Sequence, residues 1–124
     1  MRKPRTFLFA ALLLSLAAGC AHSGASAPGR YVHFCVVPRT LPDGSDAAPR
    51  IEAFKIWLCE KAGGYTEIPS APGGWVNPGG ELETAEQAGF LVSSPACLTR
   101  DIAEYVAREF RETHPYVIAW KALP

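Results

Sequence analysis

Charge of one sign is not in excess: twelve Lys and Arg stand against twelve Asp and Glu in 124 residues. Three of the basic residues, Arg2, Lys3 and Arg5, crowd the N-terminus, so the rest of the chain holds nine basic against twelve acidic side chains. A mildly acidic domain is poorly suited to a phosphate backbone, and no nucleic-acid partner is expected. Long apolar runs are scarce too. The one candidate, Phe7 to Ala18, has 12 residues and is broken by Ser15. As a helix it spans about 18 Å, short of the ~30 Å hydrocarbon core, which excludes a polytopic membrane protein. HExxH, CxxC and an ordered Ser-His-Asp set are absent, and the one Gly-rich segment, APGGWVNPGG, lacks the lysine of a P-loop. No cofactor is expected. An apolar fraction of 48% excludes a disordered chain and leaves room for one small domain.

The opening, MRKPRTFLFAALLLSLAAGC, places positive charge before a short apolar run and small residues before Cys20. That order fits a cleaved export signal over residues 1–19. It resembles the bacterial lipobox, with the leucine one place early at Leu16. The resemblance implies that the Cys20 sulfur receives diacylglycerol and becomes the mature N-terminus, anchored in a membrane by its acyl chains. Ordinary secretory cleavage near Ala21 is the alternative. Because Ala21 rather than aspartate follows the cysteine, the resemblance to Gram-negative lipoproteins implies an outer-membrane location facing the periplasm. Residues 20–30 are small and polar without periodicity, as in a flexible tether, and His22 within them is expected to be solvated.

Residues 31–124 form the folded domain. Tyr31 to Val37 (YVHFCVV) is a strand stopped by Pro38. Its purely apolar set, Val32, Phe34 and Val36, is expected to face helices, and Tyr31, His33, Cys35 and Val37 the other side. A helix follows from Pro49 to Ala62, with Ile51, Phe54, Leu58 and Ala62 in one stripe and Gly63-Gly64 as the stop. Tyr65 to Val92 reads as a long irregular hairpin turning at Asn77-Pro78-Gly79-Gly80, its first arm broken by Pro69 and Pro72. Thr99 to Thr113 is a second helix, and Tyr116 to Leu123 a last strand. The order β-α-β-β-α-β gives an α+β, ferredoxin-like arrangement: a four-stranded antiparallel sheet with two helices on one face. The other face is left bare, so a homo-oligomer over that face or along an edge strand is expected.

Gly63-Gly64-Tyr65-Thr66, Gly73-Gly74-Trp75 and Pro78-x-Gly80 resemble small bacterial ferredoxin-like domains, a resemblance over Tyr31 to Trp120 that implies a fold and no activity. His114-Pro115-Tyr116 at a helix-to-strand junction is similar to CutA-type proteins, which implies a trimeric ferredoxin-like domain.

Candidate chemistry is sparse. His33 and Cys35 project from one strand face, and an imidazole with a thiolate suits a soft or borderline divalent metal. A third ligand would come from Glu67, Glu86 or His114. His33 with a glutamate could equally serve acid–base catalysis. With Trp75, Tyr116 and Trp120 these two residues make a candidate ligand face, although Trp75 also reads as a core residue. Export exposes Cys35, Cys59 and Cys97 to oxidising conditions, where at most one internal bridge can form. Glu81 and Glu83 share one strand face and Glu86 falls on the other, which opposes a three-carboxylate cluster. The function that fits best is a membrane-anchored lipoprotein with a small binding module. A small enzyme and a transition-metal-binding protein are the alternatives.

Overall fold

The structure, a computed structural model, describes residues 29–122. The segment carrying the export signal, Cys20 and His22 lies outside the described residues. Eight elements follow in order: β1 (Arg30–Pro38), α1 (Ala48–Ala62), β2 (Thr66–Ile68), β3 (Gly73–Val76), β4 (Leu82–Ala85), β5 (Gln87–Ser94), α2 (Thr99–Phe110) and β6 (Val117–Ala122). The main sheet has the order β2-β5-β1-β6, with every neighbouring pair antiparallel. This is the α+β ferredoxin-like fold, with β3 and β4 added as a separate two-stranded hairpin.

The hairpin differs from the single long one expected over Tyr65 to Val92. β2 holds β5 for only three pairs, Thr66↔Leu91, Glu67↔Phe90 and Ile68↔Gly89. Pro69 then ends it, because proline offers no N–H to the ladder. After Pro72 the chain pairs again, but with β4 rather than β5. Gly80 takes φ 84° at the tip, where Asn77 N–H donates to the Glu81 carbonyl at 2.9 Å.

α1 begins with Pro49 in its first turn and stops at Gly63, whose left-handed φ of 85° lets its N–H reach the Cys59 carbonyl at 2.9 Å. α2 ends at Phe110, three residues earlier than the sequence pattern indicates, and its cap Arg111 is also left-handed at φ 56°. Ile51, Phe54 and Leu58 of α1 and Ile102, Tyr105, Val106 and Phe110 of α2 are buried against the sheet. Phe54 is central. Its ring meets Phe90 and Phe110 edge-on at 5.3 and 5.9 Å and lies 5.2 Å from Tyr105.

The two faces of β1 are the reverse of the expectation. His33, Cys35 and Val37 are fully buried beneath the helices, with Phe90 and Val92 beside them on β5. Val32, Phe34 and Val36 point to the open side and are half-buried. The partner strand explains the choice. The β5 residues on the open side include Gly89 and Ser93, whereas Ala88, Phe90 and Val92 on the other side supply most of its buried apolar area.

Candidate functional site: the open sheet face

Register builds the open face row by row. Trp120 sits opposite Val32, Ile118 opposite Phe34, Phe34 opposite Leu91, and Val36 opposite Gly89, which in turn faces Ile68. Tyr116 precedes β6 and packs its ring edge-on against Phe34 at 6.3 Å. Gly89 makes this packing possible: a Cβ there would stand 3.2 Å from the Phe34 ring and 3.4 Å from Ile68. The hairpin extends the surface through Trp75, while Val76 and Leu82, also exposed, lie on the hairpin's other face. Between sheet and hairpin runs a groove of about 380 Å³, lined by Phe34, Val36, Pro72, Trp75, Gln87 and Tyr116 among others.

Few polar groups converge on this groove. The Arg39 guanidinium donates to the Pro69 carbonyl, and Ala71 N–H donates to the Gln87 carbonyl at 2.9 Å, together fixing the crossing into the hairpin. Gly73 passes so close to the Gln87 side-chain oxygen that a Cβ would lie 2.6 Å from it. The surface is therefore an aromatic and aliphatic platform, suited to packing rather than to proton transfer.

The five residues expected on one ligand face are divided between two. Trp75, Tyr116 and Trp120 are exposed on the open side, at 49%, 54% and 47%. Trp75 is thus not a core residue. His33 and Cys35 lie on the opposite side of the sheet, sealed from solvent. His33 Nδ1–H donates to the Val92 carbonyl at 3.1 Å, and Nε2 accepts the Leu98 backbone N–H at 2.8 Å. Both ring nitrogens are spent on backbone, one tautomer satisfies both bonds, and neither is free for a metal or a substrate. Burial pushes the Cys35 thiol up to about 12, so the thiolate a soft metal would need is strongly disfavoured. The proposed third ligands are elsewhere. Glu67 bonds Lys55 at 2.9 Å, His114 is exposed past the end of α2, and Glu86 is exposed between β4 and β5. Among the described residues no three His, Cys, Asp or Glu side chains are placed to hold a metal ion. Catalysis through His33 and a glutamate meets the same obstacle, since no substrate reaches the ring.

The remaining cysteines are separate. Cys35, Cys59 and Cys97 are all free thiols, the last two exposed. Cys97 is held below the usual thiol range by the Thr99 hydroxyl and then by the Thr99 backbone. Glu81 and Glu83 both accept from the Asn77 side-chain amide, at 3.4 and 2.8 Å, and so fasten the hairpin tip. A second cavity of about 340 Å³ lies at the other end of the sheet, lined by Val32, Gly63, Gly64, Tyr65 and Ser93 among others.

Sequence reasoning passed over Phe34, Ile68 and Ile118 as parts of the surface. Their signal was present in β6, where Ile118 and Trp120 alternate with the smaller Val117 and Ala119.

No family model matches the chain, and no curated protein matches it. Solved structures do. CutA from Xylella fastidiosa aligns at 19% identity and TM-score 0.56, over 73% of this chain and 81% of that one. CutA1 from Oryza sativa aligns at 18% and 0.58, over 77% and 82%. A phage SAM lyase in complex with S-methyl-5'-thioadenosine aligns almost equally well, at 11% and 0.55 over 77% and 83%. Proteins of different activity share this architecture, so the similarity is one of fold.

Proposed function

We propose that this chain is a lipid-anchored module of the bacterial outer membrane, facing the periplasm, that works by self-association through its open sheet face. The carrying observation is the exposed apolar surface. Ile68, Trp75, Tyr116, Ile118 and Trp120 are each between 36% and 54% exposed, on the open side of the sheet and the hairpin face turned to its groove. From typical side-chain areas these amount to something on the order of 500 Å². That is at the upper end of the roughly 300–600 Å² that the largest, often functional, patch of a monomer reaches, and with the half-buried Val32, Phe34 and Val36 between these residues it supplies a large part of the ~800 Å² per partner of a stable complex. Among the described residues β6 also leaves an unpaired edge of six residues, which a second copy can extend. The CutA-type similarity supports the same reading.

The anchor rests on the residues around Cys20. No described helix is long and apolar enough to cross a membrane. One of the similar structures, from Thermus thermophilus, is called a divalent cation tolerance protein. In this chain a cation site would have to be shared between copies, because one copy brings no ligand cluster together among the described residues.

Sedimentation of the purified protein in detergent tests the association. A discrete oligomer is expected, and Ile118→Glu with Trp120→Glu should convert it to monomer without loss of helical signal. A wild-type monomer across micromolar concentrations would overturn it. Mass spectrometry of the membrane fraction tests the anchor: the mature chain should begin at a diacylated Cys20, and an unmodified chain beginning at Ala21 would refute it.

A further inference from the structure

The two ends of the sheet carry different charge. Register pairs Arg30 with Ala122 and Tyr31 with Ser94, so the start of β1, the end of β5 and the end of β6 lie together. The end of α1, leading into β2, and the start of α2 join them. The described chain begins at this end, with Gly29 leading into Arg30. At the opposite end lie Pro38, the hairpin and the C-terminus of α2.

Among the described residues, four basic side chains have no ion-pair partner: Arg30, Arg39, Lys61 and Lys121. Three of these are at the tether end. Arg30 is exposed and, among the described residues, bonds Ser93 alone, at 2.9 and 3.1 Å. Lys61 closes α1 and reaches over Trp57 at 5.9 Å. Lys121 lies across the tether's exit, its Cε 2.9 Å from where a Gly29 Cβ would stand. Glu60 and Asp101 are the unpaired acids there, and Arg100 is matched by Glu104 at 2.8 Å. The far end reverses the balance. Asp46, Glu81, Glu83, Glu86 and Glu112 have no cationic partner, against the guanidinium of Arg39 and the one cation in excess where Arg50 and Arg108 share Glu109.

We infer that the tether end is a second membrane contact: Arg30, Lys61 and Lys121 seat on an anionic phospholipid surface and turn the acidic hairpin away from it. The inference rests on the acylated Cys20 of the proposed function. Ten residues from Cys20 to Arg30 allow at most about 35 Å of separation, so thermal motion constantly returns the domain to the surface. Interaction with a negative surface falls off within a Debye length of about 8 Å, so the domain's charge asymmetry decides which end comes close. The open sheet face runs alongside this end rather than across it, and copies joined through that face keep the end free.

The test uses the acylated protein in vesicles of 30% phosphatidylglycerol and 70% phosphatidylethanolamine, against vesicles of phosphatidylcholine alone. A fluorophore on Cys97, with Cys59→Ser, reports the tether end through headgroup nitroxide quenching. A fluorophore on Gly79→Cys, with Cys59→Ser and Cys97→Ser, reports the hairpin tip. Strong quenching at Cys97 and little at the tip is expected on anionic vesicles only, and 0.5 M NaCl should abolish the difference. Each basic residue removed should weaken the contact up to about five-fold, so Arg30→Gln, Lys61→Gln and Lys121→Gln together should erase it while the protein stays vesicle-bound. Equal quenching on both lipids, or at both probes, overturns the inference, and the salt measurement needs no folded variant. Protein that fails to bind vesicles and carries no acyl mass refutes the anchor instead.

Discussion

His33 Nε2 accepts the backbone N–H of Leu98 at 2.8 Å, while the other ring nitrogen donates to the Val92 carbonyl. One side chain of β1 thereby joins its neighbour β5 to the residue that opens α2. α2 has no side-chain N-cap of its own, so this imidazole supplies a partner for an amide at its entry. A histidine that invites a catalytic or metal reading is here a bolt between three elements.

His33→Ala should therefore leave the Leu98 N–H and the Val92 carbonyl unsatisfied within a buried cavity. A loss of roughly 2–4 kcal/mol is expected from urea unfolding. The oligomer formed by the surviving folded fraction should be unchanged, because the open face lies on the other side of the sheet. A variant as stable as the parent would deny the bolt.

Cys35 sets a pH dependence with a definite sign. Its thiol is raised to about 12 in the folded state, against an ordinary value near 9. Above pH 9 the unfolded chain loses this proton and the folded chain keeps it, so unfolding is favoured as pH rises. The contribution is complete below pH 9 and is lost between about pH 9 and 12. Denaturation at a series of pH values should show that slope, and Cys35→Val should flatten it.

Thiol labelling should rank the cysteines. Cys97, exposed and lowered by Thr99, reacts first. Cys35 should react only as fast as the domain unfolds. Peptide mapping after timed alkylation gives the order, and early modification of Cys35 would contradict the burial.

Gly89 holds the space that the Phe34 ring occupies. Gly89→Val should push Phe34 and Ile68 aside, cost about 1–3 kcal/mol and disturb the groove beside Trp75. Thermal melting measures the first effect, and loss of the oligomer in sedimentation the second.

Arg111 adopts φ 56°, a conformation that a side chain disfavours, and also bonds Asp43 at 3.1 Å. Arg111→Gly should relieve the backbone and forfeit the exposed pair, for a net change in melting temperature near zero. A large fall would mean that the pair to Asp43 matters more than an exposed contact should.

Most of the architecture could be read along the chain, because its signals are local. Pro49 and Gly63 bracket α1, the 3.6-residue spacing of Ile102, Tyr105, Val106 and Phe110 marks α2, and β-branched and aromatic residues mark β1 and β6. The order of those elements leaves few topologies open, and the ferredoxin-like one is what forms. The N-terminal export pattern is likewise a property of consecutive residues. The faces of β1 were not local. Both alternate sets, Val32-Phe34-Val36 and His33-Cys35-Val37, are apolar enough to be buried. The decision came from β5, whose Gly89 and Ser93 could not build a core, and from backbone groups of Val92 and Leu98 that satisfy the histidine. Sequence alone determined the two helices, the strands of the main sheet and their order; the separate hairpin of β3 and β4, and which side of the sheet went under the helices, were settled only when strands distant in the chain were paired, since burial is a property of neighbours in space.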